Sequence, residues 1–213
     1  MRDLIIKVCG MKDPENIKEV VKLNPQYMGF ILFKGSPRFV NLLTAVSLVK
    51  NIPPSIQKTA VLVNEPLENA IEIARNGVFD FIQLHGNETP EYCKKLSENI
   101  RIIKAFSISD SLPGNLSEYQ PYCSMFLFDS AGEKAGGTGK KFNHNILKEY
   151  SLNTGFILSG GISPSDAEYI KTIYNEKMIG VDLNSRFETE PGIKDPALLK
   201  TFIEKIRDDD END

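Results

Sequence analysis

Groups that bind metals are scarce in this chain of 213 residues, which has two histidines, His85 and His144, and three cysteines, Cys9, Cys93 and Cys123. An odd number of cysteines with no short paired spacing indicates neither a disulfide framework nor a zinc knuckle. With so few histidines, a histidine-rich metal centre is not expected either. No apolar run approaches the roughly 20 residues that cross a bilayer. The opening "MRDLIIKVCG" has too short an apolar stretch, and no small-residue cleavage site, for a secretory signal. The expected address is the cytoplasm, with no membrane partner. A basic stripe interleaved with aromatics is also missing, because the lysines and arginines are scattered among acids, and this argues against a nucleic-acid partner. The formal charge of −4 comes mostly from the final "DDDEND", and the body ahead of it is close to neutral. Residues 208–213 read as an acidic, disordered tail behind one domain spanning residues 1–207. Any chemistry here has to be done with few groups.

What the chain does have is alternation. With 41% hydrophobic and 25% charged residues it is an ordinary globular composition, able to close one sizeable core. Short, β-favouring apolar runs recur at residues 4–8, 27–32, 59–63, 79–84, 100–106, 125–128, 155–158 and 178–183. Helix-start chemistry lies between most of them. Asp13-Pro14 and Asp195-Pro196 place a capping carboxylate before a proline, Ser163-Pro164-Ser165-Asp166 resembles a capping box, and Asn41, Asn64-Glu65-Pro66 and Thr89-Pro90 mark further starts. Strands that alternate with helices, and are apolar on both faces, pair in parallel. Eight such units predict an α/β fold, a single (β/α)8 TIM barrel, in preference to an open doubly wound sheet. The connections around "SLPGNLSEYQ" and residues 143–150 are the weakest helices.

In a barrel the reactive groups come from the carboxyl ends of strands. Side chains alternate, so Lys7 shares a face with Cys9, Gln83 with His85, and Leu127 with Asp129. A partly shielded thiol at a strand end, beside a lysine and loop amides, is expected to have a lowered pKa and to be usable as a base or nucleophile. Read alone, a cysteine there is more commonly a small buried filler. Asp129 closes an apolar strand, a costly place for an unpaired carboxylate; catalysis and structural hydrogen bonding account for it equally well.

Glycines add an anion signal. "AGGTGKKF", with Gly136 and Gly137, follows the sixth run, and "SGGI", with Gly160 and Gly161, follows the seventh and leads into the helix start at Ser163. Glycine lets backbone amides approach an anion, and barrel phosphate sites are commonly built after strands seven and eight, where Asn184 and Ser185 also fall. "GTGK" is not a P-loop, since it lacks the full glycine spacing and a hydroxyl residue after Lys140. Arg38, in "KGSPRFV", offers a guanidinium suited to a carboxylate, although a loop arginine is more commonly a solvated charge. Together these features point to a small, doubly anionic substrate.

These residues sit in motifs that resemble the phosphoribosylanthranilate isomerase family. In order they read "KVCGM", "GFILFKGSPRFV", "VLVN", "QLHGNE", "LFDS" with "GGTGKKF", "LSGGIS" and "GVDLNSRFETEPGIKD", and span Lys7 to Asp195. The resemblance implies an Amadori rearrangement of N-(5'-phosphoribosyl)anthranilate to 1-(2-carboxyphenylamino)-1-deoxyribulose 5-phosphate in tryptophan biosynthesis. It further implies no metal and no cofactor. It makes Asp129 the general acid and Cys9 the general base, gives Arg38 the anthranilate carboxylate, and gives the phosphate to Gly160, Gly161 and the eighth loop. Gln83, His85 and Asp182 would line the pocket and Lys7 would support Cys9. One departure stands out: where the family pattern has Val-Ser-Ser-Gly, this chain has Leu183-Asn184-Ser185-Arg186, which leaves the identity of the phosphate donors there open. Monomer and homodimer are both compatible with the chain.

Overall fold

A computed structural model describes residues 4–130 and 143–207 of the protein. Gly136, Gly137 and the acidic tail lie outside the described residues. Eight parallel strands close into a barrel in sequential order: β1 (Ile5–Cys9), β2 (Tyr27–Ile31), β3 (Gln57–Leu62), β4 (Phe81–Leu84), β5 (Arg101–Ile108), β6 (Met125–Ser130), β7 (Phe156–Leu158) and β8 (Met178–Leu183). Closure between β1 and β8 sets Lys7 beside Asp182.

The helices start where capping chemistry demands. The Asp13 carboxylate accepts from the Asn16 amide ahead of α1 (Pro14–Val21), Asn41 caps α2 (Leu42–Val49) and Thr89 caps α4 (Pro90–Ser97). Asp195 accepts from the Ala197 and Leu198 amides at the start of α7 (Pro196–Arg207). Asn64 is a departure from the expected pattern. Helix α3 (Leu67–Arg75) has Pro66 in the cap position and no side-chain cap, since proline carries no acceptor, while the Asn64 carboxamide two residues earlier accepts from the Asn87 amide at 2.7 Å. The weak helices are short: α5 (Leu116–Tyr119) has four residues, and a 3-10 helix, His144–Glu149, follows β6. After β7 the Ser163 capping box starts a 3-10 turn that runs into α6 (Ala167–Thr172), of six residues.

Two apolar layers result. The larger joins the outer faces of the strands to the helices; the smaller fills the barrel with Tyr27, Phe81, Ile103, Ala105, Met125, Leu127 and Ile157. Strand alternation then lifts polar residues above this plug, toward the carboxyl ends. An antiparallel hairpin of β9 (Glu188–Glu190) and β10 (Ile193–Lys194), turned at Pro191-Gly192, was not among the expected elements. Asn16 of α1 clamps it in place, donating to the Lys194 carbonyl at 2.7 Å and accepting from the Lys194 amide at 2.8 Å.

Candidate active site

One pocket at the carboxyl ends of the strands gathers most of the expected residues: Cys9, Gln83, His85, Asp129, Gly160, Gly161, Asp182, Asn184 and Ser185. Ile31, Phe33, Val61 and Val63 form an apolar wall on the β2–β3 side. Gly160, Gly161, Asn184 and Ser185 form the β7–β8 side. Strand order puts Cys9 between these two regions, and Asp129 is separated from it by β7 and β8. No helix among the described residues is long and apolar enough to cross a membrane, and none of their His, Cys, Asp and Glu side chains group to hold a metal.

Cys9 fits because its neighbour in the adjacent strand is glycine. A Cβ built on Gly29 would lie 2.7 Å from the sulfur. The thiol is 3% exposed at the pocket floor, deeper than the partly shielded position expected of it. Its expected lowered pKa is corrected too: burial pushes the thiol up, against the pull of the Lys7 ammonium that hydrogen-bonds the sulfur. Lys7 helps less than its charge suggests because it also donates to Asp182 at 2.7 Å, and the nearby Asp182 carboxylate itself disfavours a thiolate. Burial works against the Lys7 ammonium as well, but Asp182 and the Cys9 sulfur outweigh it and raise its pKa. Ser159 donates to the other Asp182 oxygen at 3.3 Å, completing a buried chain from β7 through β8 to β1.

The sign of the Cys9 shift has a measurable result. Below its pKa the thiolate fraction rises about tenfold per pH unit, so the rate of Cys9 alkylation by iodoacetamide should keep climbing beyond pH 9, where an ordinary thiol of pKa 9.0 levels off. Mass spectrometry of the Cys9 peptide across pH 7 to 10 reads this; a plateau near neutrality contradicts it.

His85 is oriented for Asp129. Gln83 Nε2 lies 2.8 Å from His85 Nδ1 and can only donate, so the imidazole proton sits on Nε2, which donates to Asp129 Oδ2 at 3.2 Å. The Ser130 amide donates to the other carboxylate oxygen at 2.9 Å. The loop bearing His85 is pinned from behind. Glu88 accepts from the Asn64 and Gly86 amides and pairs with the buried Lys104 at 3.1 Å.

Gly160, at φ +91°, needs the left-handed backbone, and a Cβ there would overlap Ser130. The helix amino terminus expected behind this loop is only the Ser163 turn and the short α6. Asn184 lines the pocket while its Oδ1 accepts from Lys194 at 2.7 Å.

Arg38 is the least expected placement. It is 6% exposed, so it is not the solvated loop charge common for its type, and it does not line the pocket. Its stem passes beside Gly10, where an added Cβ would come within 2.6 Å of Arg38 Cδ, and its guanidinium grips Glu188. Glu188, Lys194 and Ser159 escaped the sequence reading, and the Pro-Gly turn in "ETEPGIK" was the only local signal for the first two.

A family model described as N-(5'phosphoribosyl)anthranilate (PRA) isomerase matches residues 6–205. An N-(5'-phosphoribosyl)anthranilate isomerase of Parabacteroides distasonis is 43% identical over 206 residues, covering 95% of this chain and 93% of the relative. The enzyme of the same name from Phocaeicola vulgatus is 41% identical over 206 residues, covering 96% and 98%. A phosphoribosyl anthranilate isomerase solved in complex with reduced 1-(o-carboxyphenylamino)-1-deoxyribulose 5-phosphate superposes with a TM-score of 0.78 at 26% identity, covering 95% of this chain and 98% of that one. Family model, relatives and barrel agree along nearly the whole length, and the chain belongs to the N-(5'-phosphoribosyl)anthranilate isomerase family.

Proposed function

We propose that this barrel isomerises N-(5'-phosphoribosyl)anthranilate in tryptophan biosynthesis, with Asp129 as general acid and Cys9 as general base. The observation that carries the reading is a single pocket holding a carboxyl and a buried, lysine-backed thiol on separate strands, between an apolar wall and a glycine-lined loop pair. Asp129 gives its proton to the furanose ring oxygen. The C1–O bond breaks as the anilino nitrogen lone pair forms the C=N bond of a protonated Schiff base. Cys9 then takes the C2 proton, the C2–H electrons form the enolamine, and tautomerisation gives the C2 ketone. The carboxylate left on Asp129 inherits donors from His85 and Ser130, so the charge created by proton release is met by groups already in place.

Substrate orientation follows from the pocket's polarity. The anthranilate ring lies on the wall of Ile31, Phe33, Val61 and Val63, with its carboxylate toward Arg38, whose stem passes Gly10 next to Cys9. The phosphate lies at the amides of Gly160 and Gly161, with Ser185 beside them. Asn184 keeps its oxygen on Lys194, which leaves its amide nitrogen as the group able to donate to phosphate.

The test is loss of anthranilate-type fluorescence when the purified chain meets freshly generated N-(5'-phosphoribosyl)anthranilate. Protein-dependent decay to the carboxyphenylamino-deoxyribulose phosphate is expected. Unchanged fluorescence with folded protein overturns the reading in favour of a barrel that binds without turnover.

A further inference from the structure

The buried ion cluster beside Cys9 contains one carboxylate and two cations. Glu188 is almost wholly buried, and both its oxygens are saturated. Oε1 accepts from Arg38 Nε at 2.8 Å, Lys194 Nζ at 2.6 Å and the Gly192 amide at 3.0 Å; Oε2 accepts from Arg38 Nε at 3.0 Å and Nη2 at 2.6 Å. Lys194 spends a further proton on Asn184. A guanidinium has two edges that can meet a carboxylate with parallel hydrogen bonds. Glu188 occupies the Nε/Nη2 edge, and the Nη1/Nη2 edge has no other partner among the described residues.

We infer that Glu188 is the positioning residue for substrate carboxylate recognition: it fixes the side edge of Arg38 from the β9–β10 hairpin, so that the end edge is presented to the anthranilate carboxylate. This rests on the assignment of that carboxylate to Arg38. Three features support it. The hairpin is anchored to α1 by the paired Asn16 hydrogen bonds, so Glu188 is a fixed point. The Arg38 stem crosses Gly10, the residue after Cys9, so its head lies close to the strand end carrying the base. Burial lowers the Lys194 pKa against the pull of Glu188; with its ammonium in place the cluster carries one positive charge in excess, which a bound carboxylate neutralises. Burial disfavours ionised Glu188, but Arg38 and Lys194 outweigh it and hold its carboxyl below the usual range, so the anchor stays charged at neutral pH.

An opposing possibility is that Glu188 competes with the substrate for Arg38, and the same experiment separates the two. The dissociation constants of the reduced product analogue and its descarboxy counterpart are measured on the native chain, Glu188→Gln, Arg38→Met and the double variant. The native chain should prefer the carboxylated ligand by tenfold or more, on the order of a charge-assisted pair. Arg38→Met should abolish that preference, Glu188→Gln should remove most of it while descarboxy affinity stays near native, and the double variant should match Arg38→Met. If Glu188→Gln keeps or strengthens the preference while Arg38→Met loses it, the positioning role is overturned. If Arg38→Met keeps it, the assignment of the carboxylate to Arg38 fails instead, and the inference falls with it. Glu188→Asp retains the charge against Lys194 but withdraws the carboxylate by one methylene; it replaces the glutamine variant if circular dichroism shows that one unfolded, with the same outcomes.

Discussion

Replacing Cys9 with serine is expected to lower kcat by about 10²- to 10⁴-fold, the range for a lost general base, while the reduced product analogue binds as before. The substitution is close to isosteric in a slot walled by Gly29, so the Lys7–Asp182–Ser159 chain beneath it survives. What changes is basicity. A serine hydroxyl is a far weaker acid than a thiol, and its alkoxide is out of reach at a site where burial already pushes the thiol up. In the proposed mechanism the native sulfur escapes that limit, because ring opening places a cationic Schiff base beside it and makes C2–H acidic. Fluorescence kinetics give kcat, and titration with the analogue gives affinity. Near-native turnover by a folded Cys9→Ser protein would remove the thiol from the chemistry.

Much of this was legible because each feature was local. Asp13, Asn41, Thr89 and Asp195 announce helix starts within three residues of the amides they cap, and β-strand alternation is enough to put Lys7 under Cys9 and Gln83 under His85. What escaped depended on chain closure. The lowered thiol pKa expected from Lys7 fails first because the closed barrel buries the sulfur, and then because Asp182, beside Lys7 only once β8 meets β1, shares the ammonium. Arg38 reads as a loop charge because its partner Glu188 lies 150 positions away, on a hairpin too short to show a strand pattern. Asn64 reads as part of a helix start, but the cap position falls on Pro66, and Asn87, on the next strand-end loop, claims the Asn64 oxygen.

Asp129→Asn is expected to cost about as much, some 10²- to 10⁴-fold in kcat, with a pH signature of its own. The carboxamide oxygen still accepts from His85 or Ser130, so the fold and the His85–Gln83 pair remain; what is lost is a proton that can be released to leave a stabilised anion. In the proposed mechanism the base must be deprotonated, and burial raises the Cys9 thiol, so below that raised pKa each rise of one pH unit multiplies the thiolate fraction by about ten. In Asp129→Asn no titrating acid remains at this position, so the residual kcat/KM should climb about tenfold per pH unit toward the raised thiol pKa. Initial rates from pH 6 to 9 read the slope. A level profile in the variant would mean that Cys9 deprotonation does not limit its turnover, and near-native turnover would remove Asp129 from the chemistry.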